Sequence, residues 1–172
     1  VAGVRKYGNS SPVQLKDAFQ IGSITKPITA TLAYVLDQRN VLSVKTRIID
    51  VFPELAAEMR PEYLNVTIEM LLTHLAAFPY MPLTEGNDEF SLISSDLMRR
   101  RYEYVRAAIK DKPEGKVGQY YVYSGGTIIA AAMMERKTGL SWGTLVSKYV
   151  YKPLEMNSAG AGAMSKPDAV TG

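Results

Sequence analysis

Apolar positions along the chain recur at helical spacing over most of its length and alternate at strand spacing only near its start. Residues 1–9 alternate weakly and run into a "GNSS" turn, which predicts one short strand there and a second over residues 13–19. From Ile24 onward, Ile28, Leu32, Val35 and Leu36 fall on one helix face, and the pattern stops at "DQRN". Pro53 and Pro61 punctuate residues 41–63, which read as turns with a short helix around "PELAAEM". The segment "VTIEMLLTHLAAF" then offers Thr67 as an N-cap, Glu69 in the first turn, and an apolar face of Ile68, Leu71, Leu72 and Leu75.

A Pro-, Gly- and Asn-rich loop, "PYMPLTEGND", separates that helix from "SSDLMRRRYEYVRAAIK", where Leu97, Met98, Tyr102, Val105 and Ile109 alternate with charge at the spacing of a helix with one wet face. A second loop, "KDKPEGKVGQYYVYSGG", leads into the apolar helix "TIIAAAMMERKTG", whose Gly139 suits the position just past a helix end. The next helix, in "LSWGTLVSKYVYKPLEM", is capped by Ser141 and stops before Pro153, and the tail "NSAGAGAMSKPDAVTG" has no periodicity. The pattern divides the chain into strands over 1–22, a helical region over 23–156 and an irregular tail over 157–172. The fold class is α+β, mostly helical.

Composition narrows this further. With 172 residues and 47% of them hydrophobic, one domain can bury roughly 70% of the surface its unfolded chain exposes. Cysteine is absent and His74 is the sole histidine, which argues against disulfides, thiolate metal cages, His-rich metal sites and a Ser-His-Asp triad. His74 itself reads as a helix-end residue satisfying a carbonyl. The net charge of +3 is mild, and a solvated helix face accounts for "RRR" at residues 99–101, so no nucleic-acid partner is expected. A helical adaptor using that face for an acidic partner is a weaker third reading. No apolar run reaches the ~20 residues of a membrane span. The chain opens without methionine or an apolar leader core, so upstream sequence is expected to have been removed or left out.

The candidate chemistry lies in "FQIGSITKPITA". Pro27 is tolerable in a helix only close to its start, which places Ser23 at the amino end of that helix. Unsatisfied backbone N–H groups and the macrodipole there favour an alkoxide, and Lys26, three residues on, can bring its amine to the serine oxygen. In a partly desolvated cleft such an amine loses basicity and serves as a general base, while the Ser23 N–H helps hold an oxyanion. An ordinary helix cap explains the same four residues, and spacing alone leaves both readings open.

The sequence resembles the serine β-lactamase and penicillin-binding protein superfamily, in its class C β-lactamase, DD-peptidase and family VIII esterase branch. The Ser-x-x-Lys pattern is one such feature. "FQIGSITKPITATLAYVLDQ" is similar to that family's nucleophile helix, "VTIEMLLTHLAAFP" to its LLTHTSGLP segment, "YYVYSGG" to its Tyr-Ser-Asn motif, and "KTGLSWGTLVSKYVYKPLEM" to its following helix and Pro-Leu-Gly-Met turn. The matches run in order over nearly the whole chain. The resemblance implies a serine hydrolase acting on a β-lactam, a D-Ala-D-Ala peptide or a small ester, with Ser23 acylated, Lys26 as its base, Tyr123 as a second proton-transfer group, and Ser124 and Gly125 against the substrate. It implies no cofactor and an extracytoplasmic setting.

Two departures qualify it. Gly125 stands where the family carries asparagine, offering only backbone; that loosens substrate positioning, shifts the role to Ser124, or marks a flexible helix entry. "KTG" at residues 137–139 carries the ordinary stop signals of a helix end, so the family's Lys-Thr-Gly strand, which lies further downstream, is not represented. The chain therefore reads as a partial transpeptidase-type domain with the nucleophile helix and helical lobe and without most of the antiparallel sheet. Open helix faces and strand edges predict a homodimer or a complementing chain. A non-catalytic truncated relative or fragment, acting in binding, is the alternative.

Overall fold

Thr29, Leu32, Ala33 and Leu36 recur on one face of the first helix, α1 (Thr25–Gln38), and are the positions it buries. The computed structural model describes residues 2–79 and 96–160. After α1 come α2 (Ile48–Val51), 3-10 turns at Pro53–Leu55 and Pro61–Tyr63, and α3 (Ile68–Leu72). There follow α4 (Leu97–Ala108), α5 (Gly126–Thr138) and α6 (Trp142–Val146), the last running into a π-turn at Ser147–Tyr151. Among the described residues the fold is mostly helical, with almost no strand.

The centre of the molecule is α5. Its sequence is apolar on every side rather than along one stripe, which suits a helix surrounded by others. Residues Ile129 to Glu135 are all buried, and α5 packs against α1, α2, α3, α4 and α6. Gly126 lets it approach α3, because a Cβ there would meet the Leu71 carbonyl oxygen at 2.7 Å. The core extends through Leu32, Leu36, Ile48, Leu71 and Met133, and Tyr63 stacks on Phe78 with ring centroids 4.2 Å apart.

Local signals position the ends as expected. Thr67 accepts from the Met70 N–H and Ser141 from the Thr144 N–H, each capping its helix. Gly139 ends α5 in the left-handed conformation, φ 71°. α3 is shorter than its apolar pattern, because His74 turns left-handed at φ 60° and the chain leaves the helix there.

The strands expected over residues 1–22 contract to one antiparallel bridge, Val4 with Pro12. Arg5 N–H donates to the Ser11 carbonyl and Val13 N–H to that of Gly3, each at 3.0 Å, and the Arg5–Asp17 ion pair at 2.7 Å ties the segment together. Two isolated strands with nothing to cover a face do not persist as a ladder. Leu15 and Phe19 are accordingly exposed. The loop expected at "PYMPLTEGND" and the end of the tail lie largely outside the described residues. Among the described residues, no helix is long and apolar enough to cross a membrane.

Arg101 also departs from the wet face expected of residues 99–101. Its Nε and Nη2 donate to Glu135 Oε2 and Oε1 at 2.9 and 2.6 Å. Trp142 N–H donates to the same Oε1 at 2.6 Å, so one buried carboxylate joins α4, α5 and the start of α6.

Candidate active site

Ser23 lies in a 3-10 turn, Gly22–Ile24, that leads directly into α1. Gly22 takes φ 49°, a left-handed value that glycine adopts without strain, and so swings the chain into that turn. Pro27 is the third residue of α1, where backbone N–H groups lack intrahelical acceptors in any case. This local geometry sets Ser23 and Lys26 on one side, and Lys26 Nζ donates to Ser23 Oγ at 3.1 Å.

Tyr123 closes the group from the segment before α5. Lys26 Nζ stands 4.7 Å from the centroid of its ring. Hydrogen bonding from Lys26, and secondly from Ser23, holds the phenol below its ordinary pKa of 10.0. Three polar groups thus form one cluster, with Ser23 open to solvent and Lys26 half-buried.

His74 braces this arrangement in a way the sequence did not disclose. Its Nδ1 accepts from Ser124 N–H at 3.3 Å, and its carbonyl accepts from Val122 N–H at 2.9 Å. Its ring packs 4.9 Å from that of Tyr123, centroid to centroid. Burial, and secondly the Lys26 charge, push its pKa below 6.5, which favours the neutral ring whose Nδ1 can accept. The expected carbonyl-capping role is replaced by this clamp on residues 122–124. The signal available was a lone histidine just past a helix; its partner lies 50 residues on.

Ser124 is buried, and neither it nor Gly125 lines the cleft that holds Ser23 and Lys26. Gly125 serves close packing: a Cβ there would fall 1.9 Å from Tyr104 Oη and 2.6 Å from its Cζ. Tyr104 is itself buried and forms part of the cleft wall. The cleft, about 590 Å³, runs from Ser23 between α1, α4 and α5 to the indole of Trp142.

A mostly helical lobe carries a serine and a lysine paired beside a cleft, and comparison with known proteins gives the family. The chain belongs to the Beta-lactamase family, whose model matches residues 1–170. It is 28% identical over 159 residues to penicillin-binding protein 4 of Amycolatopsis lactamdurans, covering 92% of this chain and 40% of that protein. It is likewise 28% identical over 164 residues to esterase EstB of Burkholderia gladioli, covering 87% of this chain and 40% of the other. The crystal structure of a penicillin-binding protein from Bacillus halodurans superposes with a TM-score of 0.71 at 21% identity, over 98% of this chain and 52% of that one. The chain thus spans about 40% of the length of these curated relatives.

Proposed function

We propose that the chain is a serine hydrolase that forms an acyl-enzyme on Ser23. The observation that carries this is the 3.1 Å hydrogen bond from Lys26 Nζ to Ser23 Oγ, with the Tyr123 phenol acidified by both. In the proposed reaction Lys26 acts as the neutral amine: Ser23 Oγ attacks the carbonyl carbon of the substrate while its proton passes to the Nζ lone pair. The carbonyl oxygen takes the negative charge, which the Ser23 N–H helps to hold. The bond to the leaving group then breaks, and the departing atom receives a proton through Tyr123. Water repeats the sequence on the ester and frees Ser23. A β-lactam, a peptide ending in D-Ala-D-Ala and a small ester all present the carbonyl this sequence needs.

Ser124 and Gly125 enter as supports in this reading. Ser124 is held by His74 and fixes Tyr123, while Gly125 makes room for Tyr104 in the cleft wall.

The test is incubation with a fluorescent penicillin and, separately, a fluorophosphonate, followed by intact mass measurement. Addition of one label to the native chain and none to Ser23→Ala is expected. No addition to either protein with either reagent rejects the proposal and supports the alternative, a relative that binds without turning over.

A further inference from the structure

Tyr123 is held from both sides by one residue. Val122 N–H donates to the His74 carbonyl at 2.9 Å and Ser124 N–H to His74 Nδ1 at 3.3 Å, so the residue between them is bracketed. The His74 and Tyr123 rings also pack with centroids 4.9 Å apart. Earlier in the same segment Gly118 N–H donates to the Leu75 carbonyl at 2.8 Å, and Glu114 N–H to that of Ala77 at 2.9 Å. Three of these four bonds join backbone to backbone and are indifferent to side-chain protonation. The fourth is not, because a ring nitrogen accepts only while its lone pair is free. Losing it leaves residues 114–122 attached and unlatches the end that carries Tyr123.

Ser124 is buried, so a protonated ring sets two donors against each other where water has little access. Among the described residues the charged and titratable groups around the ring are Lys26 from α1, and Tyr121 and Tyr123 from the segment before α5. Glu69, on the helix that His74 follows, pairs with Lys45 instead. Burial, and secondly the Lys26 charge, keep the ring neutral until the pH falls below 6.5. We propose that His74 is a proton-gated positioning residue: its free Nδ1 lone pair fixes Tyr123 beside Lys26 and Ser23, and a proton bound there unlatches Tyr123 and slows acylation of Ser23 in the folded chain. This rests on the acyl-enzyme reading of Ser23.

Two variants separate the latch from the rest of the side chain. His74→Asn places an acceptor oxygen on the same γ carbon, tolerates φ 60° and takes up no proton, whereas His74→Gly tolerates φ 60° and offers no acceptor. Tyr123, titrated by ultraviolet absorbance against Tyr123→Phe in each background, is expected below 10.0 in the native chain and in His74→Asn, and at its ordinary 10.0 in His74→Gly. At about pH 8 a fluorophosphonate is expected to label Ser23 at least about tenfold more slowly in His74→Gly than in His74→Asn. As the pH falls, the labelling rate of the native chain relative to His74→Asn is expected to drop at least about threefold across the titration of the His74 Cε1–H resonance. That resonance is unambiguous, since the chain has one histidine, and ionisation of Lys26 is common to both proteins. The same phenol pKa in both variants, or equal labelling of both, overturns the inference. So does a rate ratio that stays flat through the His74 titration, or a His74 that does not titrate while the chain is folded; this pH comparison decides alone should His74→Gly not fold. Absence of labelling at every pH rejects the acyl-enzyme reading of Ser23, and the phenol titrations still judge the latch.

Discussion

Replacing Arg101 by methionine strands a carboxylate that the fold has sealed away. Glu135 is 2% exposed and holds three donors, Arg101 Nε, Arg101 Nη2 and Trp142 N–H. Among the described residues, Arg101→Met removes the first two and the only countercharge, leaving one backbone N–H on a buried anion. Breaking a buried pair from one side costs about 3–5 kcal/mol. The 20% exposure of the Arg101 side chain admits some solvent and places the expected loss at the lower end, about 3 kcal/mol. For a chain of this size that corresponds to a melting temperature lower by about 6–12 °C. Adding Glu135→Met deletes the stranded charge and leaves only the Trp142 N–H short of an acceptor, at about 1–3 kcal/mol. Glu135→Met alone leaves the same N–H short, so the double variant should cost at least about 3 kcal/mol less than the sum of the singles. Urea unfolding of the four proteins in the cycle measures this directly. A loss below about 1 kcal/mol for Arg101→Met, or additive singles, would refute the reasoning.

Further outcomes follow from the site's surroundings. Gly125→Ala drives a methyl into Tyr104, with Oη 1.9 Å away, and should cost about 1–3 kcal/mol by overpacking; in a Tyr104→Ala background the same change should cost less than about 0.5 kcal/mol in urea unfolding. His74 is held below its ordinary pKa, so the unfolded chain binds the extra proton first as pH falls. Its contribution is full above 6.5 and is lost as pH drops through the lower folded value. His74→Asn, which tolerates φ 60° and can still accept from Ser124 N–H, should flatten the melting temperature just below pH 6.5 relative to the native chain. Lys26→Met removes the first cause of Tyr123's acidity, so the phenol should titrate closer to 10.0. Ultraviolet titration with Tyr123→Phe as the blank reads the shift.

Most helices were legible because their apolar spacing is local. The face of α1, the Thr67 and Ser141 caps and the Gly139 stop each depend on neighbours within a turn. The Ser23–Lys26 contact was legible for the same reason, since three residues of helix bring the two groups together. Tyr123 was accessible only through resemblance, because its place depends on how the segment before α5 returns to α1. What stayed hidden links distant parts of the chain: His74 to Ser124 across 50 residues and Arg101 to Glu135 across 34. Gly125 read as loose because an absent side chain reveals nothing of the ring that fills its space. The first strands were misplaced because alternation marks a face to be covered without supplying the sheet that covers it.

The most direct test of the account is the rate at which a fluorophosphonate labels Ser23 when Lys26 is replaced by methionine in a chain that remains folded by circular dichroism. The account predicts labelling slower by at least about a hundredfold than in the native chain, the range general bases ordinarily contribute. Labelling of Lys26→Met within about threefold of the native rate would contradict it, since an ordinary general-base contribution is far larger.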